Sequence, residues 1–221
     1  MSDMNLLKTV AARGSTDRKQ LQRFDWLNRA LEIFVAEGID AVRITRLADD
    51  LKVTRGSFYW HFRNREDLID ALVEFWQSKN TSAITASVDN AQRLDEGILR
   101  FFEICVDPNQ FDPRLDLAIR EWARRSDKIH QLVDQEDQTR INSLSQFFVR
   151  CDYPMPEALI RARVLYYSQI GFYALEVKET LPTRLNYTDA YFECFTGREL
   201  AITESRRFRR HILECYGDQL A

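Results

Sequence analysis

The chain has 221 residues, 45% of them hydrophobic and 29% charged, with a net charge of −3. That length suits one large domain or two small ones with real cores, and the composition is that of a soluble globular chain. A negative total excludes nucleic-acid binding by overall charge, so any such contact has to come from a local basic patch.

Residues 1–17 carry Gly14, Ser15, Thr16 and several charges without an apolar period, and read as a flexible N-terminal arm. Leu21, Phe24, Leu27, Leu31 and Phe34 then recur at steps of three and four, widened by Trp26, Ala30 and Ile33. That is an amphipathic helix, and Gly38 stands where a helix C-terminal glycine belongs. Ile44, Leu47, Ala48 and Leu51 share one face of a second, short helix. After a tight break at Lys52-Val53, Thr54 is placed as the N-cap of a third, with Phe58 and Phe62 spaced i, i+4. Two short helices joined by so short a turn form a helix-turn-helix, assigned to residues 18–64.

From Glu66 a further helix carries Leu68, Ile69, Leu72, Val73 and Trp76, and neither glycine nor proline occurs between Gly56 and Gly97. The spacing predicts that this helix runs without a flexible linker from the small domain into a larger helical one over residues 65–221. Helices are expected there over 94–106, 114–125, 128–151, 157–178 and 188–216, the last interrupted at Gly197, with Pro182 read as a break. The fold class is all-α.

Cys105, Cys151, Cys194 and Cys215 form no CxxC pair, and His61, His130 and His211 show no metal-ligand spacing, so no metal and no cofactor is expected. No GxSxG, HExxH or phosphate-binding glycine loop is present, and no catalytic residue is assigned. Scattered thiols without a signal-like start fit a reducing cytoplasm. No apolar run approaches the ~20 residues of a membrane helix.

From Ala41 to Arg65, six basic residues against two acidic ones give +4, which leaves −7 on the rest of the chain. This is the local patch that a phosphate backbone requires. Arg55, in the first turn of the third helix, can reach guanine O6 and N7. Thr54 and Ser57 are short hydroxyl residues for base edges or phosphates, Gly56 permits close approach, and Trp60 can lie against a sugar or phosphate. Arg43, Thr45 and Arg46 are further candidates, although Arg43 and Arg46 also fit a solvated helix face.

The span Arg23 to Trp76 resembles the DNA-binding domain of the tetracycline-repressor (TetR) family. The resemblance rests on Ala30, Phe34, Gly38, Leu47, Ala48, Val53, Gly56, Tyr59, His61, Phe62, Arg65, Glu66 and Leu68. Two positions depart from the family pattern: Lys52 where a glycine is usual in the turn, and Arg43 where a threonine often opens the second helix. The resemblance implies that Tyr59, His61 and Arg65 hold phosphates. It also implies a homodimer on a palindromic operator, released by a small-molecule effector. Trp76, Phe101, Trp122, Tyr166 and Tyr173 are the candidates for an effector pocket. Ala162, Leu165 and Gln169, with Phe208 and Ile212 on the last helix, are the candidates for the dimer interface. Effector binding between the middle helices would favour one position of the helix that starts near Glu66 and so change the separation of the two reading heads. Two alternatives stand beside this repressor reading. One is an activator or partner-controlled DNA-binding regulator without a small-molecule pocket. The other, far weaker, is an enzyme carrying a DNA-binding module, which would need clustered titratable groups in a cleft.

Overall fold

The computed structural model describes residues 21–217; the arm read over residues 1–17 lies outside them. The described residues form helices and no strand. Helix α1 spans Arg23–Glu37 and buries Trp26, Leu27, Ala30, Leu31, Ile33 and Phe34. Phe24, expected in that stripe, is 57% exposed. The buried face centres on Trp26, Ala30 and Ile33, and a residue two positions before Trp26 points about 200° away from it. Gly38, at φ 84, ends the helix.

Helix α2 (Ile44–Asp50) stops in a Schellman arrangement. The Val53 amide donates to the Ala48 carbonyl (3.0 Å) and the Lys52 amide to that of Asp49 (3.3 Å), with Lys52 left-handed at φ 59. Helix α3 (Arg55–Phe58) is only four residues long and passes into turns over 59–61. Phe58 and Phe62 stack, and Trp26 meets Phe58 edge-on, which fastens α3 to α1.

Helix α4 (Arg65–Trp76) starts at Asn64, whose side chain accepts from the Asp67 amide. It continues through a π turn over Gln77–Thr81 into α5 (Ser82–Asp89), so the expected linker-free passage is present as one helix with a π interruption. The core that includes α1 to α4 does not end with them. It takes in Leu115, Ile119 and Ala123 of α7 (Pro113–Ala123) and Ile129 and Val133 of α8 (Asp127–Arg150).

A second core joins α5, α6 (Leu94–Ile104), α8, α9 (Met155–Ala174) and α11 (Thr188–Thr196). Gly97 is needed in it, since a Cβ there would lie 2.4 Å from the Phe147 ring. A third, small cluster holds α12 (Ile202–Tyr216) against α6 and α10 (Leu181–Asn186) through Leu99, Leu181, Leu185, Phe208 and Ile212.

Two boundaries differ from expectation. Helix α9 ends at Ala174 rather than Lys178, because Glu176 turns left-handed (φ 49) and Val177 donates back to the Phe172 carbonyl. Pro182 does not break the chain; it sits in the first turn of α10, where proline has no amide to waste, behind the N-cap Thr180.

Candidate nucleic-acid interface and the cavity behind it

The turn before α3 and the residues after it form an outward ledge. Thr54, Arg55 and Gly56 are exposed, Tyr59 is mostly exposed, and Trp60 is 87% exposed. Thr54 has the extended backbone of an N-cap, but its side chain makes no cap hydrogen bond and so remains available. Arg55 has no carboxylate partner among the described residues. A Cβ on Gly56 would meet only the Thr54 hydroxyl, at 3.7 Å, so no packing within the protomer demands a glycine there. Ser57 and His61 are half-buried beside this ledge. Beneath it, Phe58 and Phe62 are fully buried, as their spacing predicted.

The basic residues of the patch divide into two groups. Arg43, Lys52 and Arg55 are exposed and free of ion pairs among the described residues; Arg43 leans on the Asp40 carbonyl (3.1 Å), and Thr45 is exposed next to it. The others are engaged within the protein. Arg46 grips both oxygens of Glu37 (2.6 and 2.5 Å), which holds that exposed carboxyl below its ordinary range. Arg63 pairs with Asp67. Arg65, expected to hold a phosphate, donates to the carbonyls of Val42 and Ile39 (both 2.7 Å) and pins the turn between α1 and α2 to the start of α4. Arg46 and Arg65 therefore each have part of their guanidinium engaged within the fold, unlike Arg55.

Of the five residues expected to line an effector pocket, none lines the apolar cavity enclosed by α6, α9, α10, α11 and α12, and Trp122 alone lines a second pocket. Trp76 and Tyr166 belong instead to a buried polar network. Asp116 accepts from the Trp76 indole (2.8 Å), Arg140 (3.0 Å) and Arg120 (2.8 Å). Arg120 also holds Asp137, and the Tyr166 hydroxyl, bonded by both arginines, donates to Asp137 (2.6 Å). Burial pushes the Asp116 carboxyl up, but Arg140 and Arg120 outweigh it and hold the group below its usual range. The π turn faces this network. Thr81 accepts from Arg140 (3.0 Å) and donates to Glu136 (2.6 Å), Gln77 donates to Glu136, and Asn80 donates to the Asp112 carbonyl. Phe101 is buried in the second core. Tyr173 stacks on Phe111 and donates to the Cys105 carbonyl. Trp122 meets Phe34 edge-on and lines a shallow cleft between α1 and α7.

That apolar cavity, about 140 Å³, lies between α6, α9, α10, α11 and α12. Its apolar walls include Phe102, Val106, Phe172, Leu181, Leu185 and Phe195. Leu165, Gln169, Phe208 and Ile212, expected at a dimer interface, line it too, and Ala162 is buried in the second core; all but Gln169 are buried within the protomer. The reason is that α9 is apolar on both faces, so the pattern could not say which face α8 would take. The outward stripe is Ile160, Val164 and Tyr167, each about half exposed, followed by Gly171. Glu179 and Arg184 supply charge in the cavity; no motif in the sequence marks either one. Among the described residues, no group of three or more His, Cys, Asp or Glu could hold a metal ion, and no helix is long and apolar enough to cross a membrane.

Residues 27–72 match the family model for bacterial regulatory proteins of the tetR family. The chain is similar to the class A tetracycline repressor from transposon 1721 of Escherichia coli, 32% identical over 74 residues, and to the class C repressor of Escherichia coli, 35% identical over 74 residues. Each match covers 34% of this chain and 34% of the relative, so the chain spans about a third of the length of these curated relatives. Over a longer stretch, the fold is similar to that of the ketosteroid transcriptional regulator KstR2 of Mycobacterium tuberculosis. That likeness has a TM-score of 0.60 at 16% identity and covers 84% of this chain and 96% of that one. Residues 27–72 are thus similar to the bacterial regulatory proteins of the tetR family, within a chain whose described residues form helices and no strand.

Proposed function

We propose that the protein is a sequence-specific, DNA-binding transcriptional regulator: a homodimer that represses from a palindromic operator and is released by a small molecule. The observation that carries DNA binding is the ledge at α3. There Thr54, Arg55, Gly56, Tyr59 and Trp60 are exposed, with no side-chain hydrogen bond or ion pair to the described residues, while Phe58 and Phe62 hold the helix from below. Arg55 reads a guanine, and Tyr59, Trp60, Lys52 and Arg43 touch sugar and phosphate. The reading unit of residues 18–64 works together with α4, which shares its core. Its place of action is the cytoplasm.

Dimerisation is supported by the outward stripe of α9, Ile160, Val164, Tyr167 and Gly171, with Ile202 and Leu213 of α12 also exposed. A helix face of this kind is costly to leave in water, and a second copy covers it. Two copies place two reading heads on half-sites about 34–36 Å apart, or a multiple of that. The effector occupies the cavity between α6, α9, α10, α11 and α12. Residues on one side of α9 line the cavity, while Tyr166 on another side reaches Arg120 and Arg140, which bind Asp116 and Thr81 at the root of α4. A ligand that prefers one setting of α9 thereby biases α4 and the reading head.

Selection of bound sequences from a random DNA pool should return a palindrome. On the selected site, Arg55→Ala should cost about 1–3 kcal/mol and relax preference at one base pair of each half-site. An asymmetric consensus would remove the dimeric operator, and equal loss on all sequences would make Arg55 a phosphate contact.

A further inference from the structure

We infer that the cavity selects a neutral, single-ring aromatic molecule bearing a hydroxyl or similar group that both donates and accepts a hydrogen bond. This rests on the reading of the cavity as the effector site and names the chemistry of its ligand. Three observations carry it. The first is size: about 140 Å³ is close to an apolar cavity of ~150 Å³ that holds benzene. The second is an unmet pair of polar groups. Gln169 Nε2, a donor, and Glu179 Oε2, an acceptor, are each shut off from solvent without a hydrogen-bond partner among the described residues, and both residues line this cavity. Buried polar atoms of this kind are normally satisfied, so a ligand that meets both gains what the protein alone leaves unmade. The third is charge balance. Glu179 and Arg184 are the two ionisable side chains of opposite charge in the lining, and Arg184 stacks over the Phe172 ring at 4.8 Å. The lining is therefore balanced as it stands, and an acid or an amine would enter the apolar chamber as an extra, uncompensated charge. A neutral phenol or aryl alcohol avoids both costs and stacks among Phe172, Phe195 and Phe102.

The test is a calorimetric titration of the full chain with four probes that share one carbon frame: 4-ethylphenol, ethylbenzene, 4-ethylbenzoate and 4-ethylbenzylamine. The expected result is tightest binding of 4-ethylphenol, by about tenfold or more over each of the others, because a buried site built for a hydroxyl rejects analogues that leave its groups unpaired. Glu179→Ala and Gln169→Leu should each shrink the advantage of 4-ethylphenol over ethylbenzene, with ethylbenzene itself still bound. Equal affinity for 4-ethylphenol and ethylbenzene, or a preference for the acid or the amine, would overturn the inferred ligand class while leaving the cavity as a ligand site. Failure of all four to bind the wild-type chain would overturn both the ligand class and the cavity reading. Because the wild-type panel decides by itself, the outcome does not depend on either variant folding.

Discussion

Lys52 occupies the left-handed region at φ 59 in the turn between α2 and α3, where a side chain costs about 1 kcal/mol that glycine does not incur. It is also one of three exposed cations near the ledge without a carboxylate partner among the described residues. The two properties separate in one variant. Lys52→Gly should raise stability in urea denaturation by up to about 1 kcal/mol and, at the same time, weaken operator binding and lower the salt dependence by about one phosphate contact. A variant that is neither more stable nor weaker on DNA would remove both roles. Residue by residue, the sequence told exposure poorly for charged groups. Composition counts Arg46 and Arg65 with Arg55 as basic, but only the fold shows Arg46 held by Glu37 and Arg65 by two carbonyls. Tyr59 and Trp60 were legible, because two aromatics that fall off the Phe58–Phe62 face have nowhere to go but outward.

At the scale of elements, the buried network between α4, α7, α8 and α9 is the main joint. Asp116 is held charged by Arg140 and Arg120, so its carboxyl titrates lower in the folded chain than in the unfolded one. A group depressed in this way contributes stability that is fully present above the unfolded value. That contribution is lost as pH falls through the folded one. Thermal unfolding from pH 7 to pH 3 should therefore show a steeper loss in the wild type than in Asp116→Asn. That variant should start lower at pH 7 by about 3–5 kcal/mol, because Arg140, fully buried, loses its nearest carboxylate and keeps only Asp137 at 3.9 Å. Parallel pH curves would remove Asp116 from the joint. Tyr166→Phe deletes a hydroxyl that both arginines share. It should leave binding of operator alone and of ligand alone within about twofold, but reduce the ligand-induced loss of DNA affinity, since coupling is a property of the link and not of either site. Helix positions were largely readable from apolar period. Helix ends were less so: α2, α8 and α9 all end with a non-glycine residue at positive φ, namely Lys52, Asp152 and Glu176. A search for C-terminal glycines finds none of them, which is why α9 was drawn four residues too long.

For the whole molecule, the proposed dimer makes the outer face of α9 the surface that sets whether one reading head or two engage DNA. Val164→Asp places a charge in the middle of the exposed stripe without touching the buried faces of the protomer. Light scattering behind size exclusion should show a monomer that keeps its helical content but loses operator affinity steeply. A dimer that survives this substitution would move the interface elsewhere. The all-α class and the helix-turn-helix were plain in the chain, because both depend on local periodicity. The cavity was not, because α9 to α12 close it only with α6 from far upstream, and Glu179 and Arg184 lie beside and on a short helix that carries Pro182 in its first turn. The π turn over Gln77–Thr81 has a consequence for this architecture that resembles the phase between two gears on one shaft. Residues in an α-helix advance by about 100° each, so one residue more in a turn offsets everything after it by that angle. Leu68, Leu72 and Trp76 are in phase with the first core and Ile84 and Val88 with the second, and the offset is what allows a single rod to mesh with both. Tightening the turn into a regular helix with all its residues kept would remove the offset and force the rod out of one gear or the other, whereas removing one residue would leave both meshed.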